Sequence, residues 1–312
     1  MDNIINIIDK MCEYKETFIY KKRVSYVVHT NRQTTLQLLK EYLDPFMEKG
    51  EPIGLINNIF ALNSDELYNM VNILARSASC VMEETGNYTL KYSEQLSVHL
   101  TQNTGINLGF IQDIYCNIRE NNMLCENVSI LFHGAAVYYN NKGILILGNK
   151  GSGKSYLSDY AILKKRAYLI AADQTIVVPQ NNKFIMRGNI TSYRINILEN
   201  QYLSDEQRER LLEYSSDIFY DSRRITSQNK FNLSPLELER FLQVKMKQDV
   251  LLNTIIILRD IRNENIGELI KRYAIKGNYN MDTINNLVKN INIYFANEKR
   301  GITFFKNLLE EK

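Results

Sequence analysis

The stretch GILILGNKGSGKSYL, residues 143–157, narrows the possible fold more than any other part of the chain. A short apolar run ends in Gly148-Asn149-Lys150-Gly151-Ser152-Gly153-Lys154-Ser155, and an amphipathic run follows. Fully apolar runs this short read as strands covered on both faces, the mark of an α/β architecture. The eight residues fit G-x-x-x-x-G-K-[ST], and a strand before with a helix after is the setting in which that pattern cradles phosphates. Glycines let successive loop N–H groups turn inward as an anion nest. A helix starting near Lys154 adds its positive end. Lys154 is expected to neutralise the β- and γ-phosphates, and Ser155 to offer its hydroxyl to Mg²⁺. Residues 148–156, ending at Tyr156, form the expected nucleotide-binding stretch, for a nucleoside triphosphate with Mg²⁺. No motif reads the base.

The flanking patterns alternate. Strands are expected over residues 23–30, 88–100 (as a hairpin), 128–139 (one or two), 142–148, 168–179 (one or two), 182–190 and 249–260. Helices are expected over 32–49, 63–78 with Asn63 as N-cap, 109–122, 154–166, 204–214 and 234–243. Ser204 with Gln207, and Ser234 with Pro235 and Glu237, mark two helix starts. The remainder reads as helical. Two units follow: a smaller α/β domain over 1–125, with substrate recognition as its expected role, and a nucleotide-binding α/β domain over 126–312.

Composition bounds the rest. The 312 residues are 45% apolar and 23% charged, with 38 basic against 35 acidic side chains. A net charge of +3 argues for neither nucleic acid nor a membrane surface as partner. The four cysteines form no CxxC pair, and with three histidines they give no metal-ligand spacing. Isolated thiols fit a reducing cytoplasm. The opening MDNIINIIDK lacks a basic region and a cleavage site, so no signal peptide is expected. No apolar run approaches the ~20 residues that span a bilayer.

Around the glycine loop the chain resembles the HPr kinase/phosphorylase family and its relatives, the peptide-modifying kinases of ribosomal peptide pathways. That family reads His-Gly-x-x-Val, then G-x-S-G-x-G-K-S, then a strand ending Leu-Val-Ala-Asp-Asp. The matches are His133, Gly134 and Val137; Gly148, Gly151, Gly153, Lys154 and Ser155; and Leu169, Ile170, Ala171 and Asp173. An Arg187-Gly188 pair also resembles the family's Arg-Gly. The likeness covers residues 127–190. It implies a P-loop kinase core of the HPr kinase/PEP carboxykinase-like type. The implied activity is transfer of the γ-phosphate of ATP to a Ser/Thr hydroxyl of a peptide or small protein. Lys154, Asp173 and His133 are then catalytic, Ser155 and Asp173 serve the metal, and Arg187 contacts phosphate or substrate. A homo-oligomer, with a hexamer among the family's precedents, stays open.

Two departures matter. Lys150 and Tyr156 stand where the family has a serine and often an acidic residue. The paired aspartates are reduced to Asp173: either Ala172 replaces the first, or Gln174 replaces the second. In the first register Asp173 supports the metal, and in the second it is the base. A nucleotide-binding module that transfers nothing, or a small-molecule kinase, are the alternatives; the thinned pair favours the module. The polar stretch 221–230 could close over phosphates or a peptide, or simply be exposed surface.

Overall fold

In a computed structural model of the chain, residues 2–84, 86–102, 108–188, 192–217, 230–259, 264–296 and 298–310 are described. They cluster into two compact units that divide between Asn122 and Met123.

The first unit opens with α1 (Asp2–Lys10), the hairpin strands β1 (Tyr14–Tyr20) and β2 (Val24–Thr30), and α2 (Gln33–Leu43). Short β3 (Glu48–Lys49) and β4 (Leu55–Asn63) follow, then α3 (Asp65–Asn69), α4 (Val71–Leu74), β5 (Cys80–Glu84), β6 (Asn87–Ser93), β7 (Leu96–Thr101) and α5 (Leu108–Leu124). The strands form one sheet in the order β3-β1-β2-β4-β7-β6-β5. β2, β4 and β7 are parallel to one another, and antiparallel strands flank them. Every residue of β2 is buried, as expected of an inner strand covered on both faces.

Two helix expectations need correction. The helix expected over 32–49 stops at Leu43, because Pro45 lacks an N–H and its ring clashes with the carbonyl four residues back. Asn63 is not an N-cap: its backbone exchanges hydrogen bonds with the Asn31 side chain at 3.1 and 2.9 Å, which keeps it in β4. Ser64 caps instead, accepting from Leu67 N at 3.3 Å.

His99 on β7 is fully buried, with Thr89 Oγ1 3.0 Å from Nδ1 and Ser97 Oγ 3.3 Å from Nε2. Burial, helped by the charge of Lys91, pulls its pKa down to about 3. The unfolded chain therefore binds a proton near the ordinary value of 6.5 that the folded unit refuses. His99 contributes its full stability above that value and loses it progressively as pH falls toward about 3. Between roughly pH 7.5 and pH 4.5, wild type should lose about 2 kcal/mol more stability than His99→Gln. Urea midpoints at the two pH values check this; equal losses would show that His99 does not carry the acid sensitivity.

The second unit contains β8 (Ser129–Tyr139), β9 (Lys142–Gly148), α6 (Lys154–Asp159), β10 (Tyr168–Ala171), β11 (Gln174–Gln180), β12 (Lys183–Arg187) and β13 (Tyr193–Ile195). Then come α7 (Asp205–Asp217), β14 (Phe231–Leu233), α8 (Pro235–Leu242), β15 (Asp249–Leu258), α9 (Ile266–Lys271), β16 (Ala274–Asn278), α10 (Met281–Asn290), β17 (Asn292–Ala296) and α11 (Glu298–Glu310). The sequence expected only helix after β15. β16 and β17 correct that: β17, an Asn-Ile-Tyr-Phe-Ala segment of strand formers, pairs in parallel with β15, and β16 pairs with β8.

β8 is one strand with two sets of neighbours. Its first half pairs with β11 and β16, and its second half with β9 and β10. β15 divides likewise, pairing with β12 at its start and with β9 and β17 beyond. The pairings β8–β9–β15–β12–β11–β8 thus close a circuit of five strands. Asn140 and Asn141 (φ 45° and 60°) turn β8 into β9, and Asn181 and Asn182 (φ 51° and 60°) turn β11 into β12. Paired positive φ values are those of the hairpin turn that matches strand twist. β9 is buried on both faces: Leu145 and Leu147 pack with Phe132, Ile255 and Ile257, whereas Ile144 and Ile146 pack with Val137, Leu157 and Phe305. The helix expected over 154–166 runs through Asp159 and continues as a wider π-type coil over Tyr160–Lys164. Both capping boxes form: Ser204 with Gln207, and Ser234 with Glu237 behind Pro235. Among the described residues, no helix is long and apolar enough to cross a membrane.

Candidate functional site

Strand register brings the candidate residues together. β9 ends at Gly148, which lies beside Leu258 at the end of parallel β15. On its other side antiparallel β8 sets Gly134 against Leu147, so His133 comes level with Gly148. β11 then sets Gln174 against His133, and the Gly134 N–H donates to the Asp173 carbonyl at 2.9 Å. The glycine loop, His133 and Asp173 therefore share one end of the sheet. His133 Nδ1 stands 3.6 Å from Asp173 Oδ1, with the side chains 38% and 45% exposed. Both can meet a solute while still touching each other.

The loop itself has the shape its glycines require. Gly151 and Gly153 have φ of +83° and +94°, a region that L side chains rarely enter. An added Cβ at either would meet nothing within 4 Å, so backbone conformation, not space, is what demands glycine there. Ser152 N donates to Asn149 O at 3.2 Å and closes the turn. The Ser152 side chain is buried beneath it, with Oγ unpaired and close against Gly148. Asn149, Lys150 and Gly151 are exposed at the tip. Lys154 opens α6 and folds over the loop: Nζ donates to Gly148 O at 2.7 Å and Asn149 O at 3.0 Å. Burial lowers its pKa, and the charge of Asp173 pushes the other way, so the two groups feel each other. Ser155 is exposed in the first turn of α6.

The far side of α6 is anchored. Tyr156 packs on Tyr202 with centroids 5.0 Å apart and accepts from Gln201 Nε2. Buried Asp159 accepts from Asn200 Nδ2 at 2.6 Å and from the Tyr193 hydroxyl. Burial raises its pKa to about 6, against the pull of these hydrogen bonds. This anchor is not legible in the sequence, where Asp159 looks like an ordinary helix-surface acid.

Arg187 is not brought to this cluster. It pairs with Asp249 Oδ2 at 2.7 Å and Glu126 Oε1 at 3.2 Å. Register sets it opposite Asp249, at the start of β15, whereas the loop lies beside Leu258 at the end. Nine strand steps separate the two positions, roughly 30 Å. Arg187, expected to contact phosphate or substrate, here stands in two ion pairs away from the glycine loop. The expected closing stretch 221–230 lies outside the described residues up to 229.

The sequence reading missed a basic cluster at the same strand ends. Arg259 follows Leu258 directly, and its guanidinium meets both oxygens of Glu264 at 3.0 and 3.4 Å. Arg272 Nη1 reaches the same carboxylate at 3.2 Å. The next residue, Tyr273, accepts from the His133 N–H at 2.8 Å, which ties this cluster to the row. A charged Leu-Arg-Asp ending on an otherwise apolar strand was the available signal.

For a hard cation the chain offers the exposed Ser155 hydroxyl at the start of α6 and the Asp173 carboxylate beside His133. Among the described residues no group of three His, Cys, Asp or Glu could hold a metal alone. Two protein oxygens suit Mg²⁺ held chiefly by phosphates and water. The left-handed glycines and the loop-facing lysine suit a polyphosphate.

No family model and no curated protein matches the chain. Among solved structures, the HPr(Ser) kinase/phosphatase from Coxiella burnetii is similar at 15% identity with a TM-score of 0.28, over 43% of this chain and 69% of that one. A likeness of that degree carries no weight for the site, which stands on its own geometry.

Proposed function

We propose that this chain is an HPr kinase-like P-loop phosphotransferase that uses ATP and Mg²⁺ to phosphorylate a Ser/Thr hydroxyl of a peptide or small protein. The observation that carries the reading is the single row of strand ends. It sets a left-handed glycine loop with Lys154 beside a partly exposed His133–Asp173 pair. Bound Mg·ATP would supply the transferable phosphate. The chain's own residues do the rest. Loop N–H groups from Lys150 to Ser155 and the start of α6 bind the phosphates. Lys154 exchanges its two loop carbonyls for phosphate oxygens, a stronger charge-assisted bond. Ser155 and Asp173 hold the cation, and Asp173 or a group beside it takes the hydroxyl proton. His133 orients the Asp173 carboxylate. Phosphoryl transfer leans mainly on positioning and charge neutralisation, so one carboxylate can suffice.

One observation favours the second reading, a module that binds ATP and transfers nothing. Ala172, where the family carries an aspartate in one register, is partly buried against the core. Incubation with [γ-³²P]ATP, Mg²⁺ and a Ser/Thr peptide library separates the two. Label in a peptide phosphoester is expected; nucleotide binding with no labelled peptide would leave the module reading.

A further inference from the structure

Lys154 is held over the glycine loop by the carbonyls of Gly148 and Asn149, and three phosphates would carry more charge than its one ammonium neutralises. We infer that Arg259 is a second cation of this site and contacts the terminal phosphate of the bound nucleotide. The inference rests on the nucleotide reading above and adds to it a residue outside the loop.

Placement is the first ground. β9, β15 and β17 run parallel, and in such sheets ligands bind beyond the carboxyl ends of the strands. Arg259 is the first residue past the end of β15, and the strand end beside it is Gly148, where the loop begins. Neighbouring strands lie ~4.8 Å apart, less than the length of an arginine side chain. The second ground is how Arg259 is held. Its partner Glu264 also bonds Arg272, so one carboxylate serves two guanidinium groups and the trio keeps a net positive charge. Arg259 can leave without stranding Glu264, because Arg272 stays on the same carboxylate. Partly exposed ion pairs of this kind hold weakly. A guanidinium meeting a phosphate makes a shorter, two-pronged bond. Glu264 thus keeps Arg259 parked at the mouth of the loop, within reach of the phosphate furthest from the nest.

The test compares ATP with ADP by calorimetric titration in Mg²⁺, using wild type, Arg259→Gln, Arg259→Lys and Lys154→Ala. Arg259→Gln should weaken ATP by about 10- to 100-fold, the worth of a charge-assisted pair, and leave ADP within about 2-fold. Arg259→Lys should fall between, keeping the charge without the fork. Unchanged ADP affinity also reports an intact fold. If Arg259→Gln binds ATP like wild type while Lys154→Ala does not, the Arg259 contact is wrong and the nucleotide site stands. An equal loss of ATP and ADP would make Arg259 a scaffold residue and overturn the contact. Wild type that binds neither nucleotide overturns both readings.

Discussion

Lys154→Ala is expected to weaken ATP binding by roughly 10²-fold and to abolish turnover. The ammonium is half-buried over the loop and is the side-chain cation placed by α6 itself. Its two present acceptors, the carbonyls of Gly148 and Asn149, are backbone groups that solvent can serve once it is gone. Removal should therefore leave the fold intact and the phosphates without their closest charge. Calorimetry with Mg·ATP reads the effect, with a circular-dichroism melt to confirm folding. Wild-type affinity in a folded Lys154→Ala protein would remove the phosphate-binding role of the loop.

Asp173→Asn carries the second large effect, and its form separates two roles. If Asp173 takes the proton from the hydroxyl, the change should lower the transfer rate by roughly 10²–10⁴-fold with Mg·ATP affinity nearly intact. If Asp173 supports the metal, Mg²⁺ affinity should fall and added Mg²⁺ should restore part of the activity. The 3.6 Å approach of His133 fits both roles, since an imidazole can steady a carboxylate whichever partner that carboxylate serves. Rate measured against Mg²⁺ concentration discriminates. A variant with unchanged rate and unchanged Mg²⁺ dependence would take Asp173 out of the site.

Local patterns carried much of this into the sequence. The apolar run of β9, the glycines after it and the helix start at Lys154 are encoded within fifteen neighbouring residues, and so are the capping boxes at Ser204 and Ser234. What stayed hidden depends on pairings between distant segments. β8 exchanges β11 for β9 midway, and that switch alone brings His133 level with Gly148. No periodicity announces it, because both halves are equally apolar. Arg187 shows the same: an Arg-Gly pair is visible in sequence, but its position along β15 is a matter of register. Arg259 reads in sequence as the tail of the core strand expected over 249–260, whereas the strand ends at Leu258 and leaves it just beyond. Only the parallel pairing of β9 and β15 sets that strand end beside Gly148. The strands β16 and β17 were lost among Asn-rich helices; β16 has mostly exposed side chains and joins the sheet through its backbone.

Transfer of phosphate from ATP to a hydroxyl at this row of strand ends can be watched in solution. Following ATP, Mg²⁺ and a Ser/Thr peptide pool by ³¹P NMR with catalytic amounts of protein tests it most directly. The γ-phosphate signal should decline, ADP should rise equally, and a phosphoester resonance should appear that is absent with Lys154→Ala. ATP that stays intact while its resonances broaden on binding would contradict it, and would leave a protein that holds a nucleotide without using it.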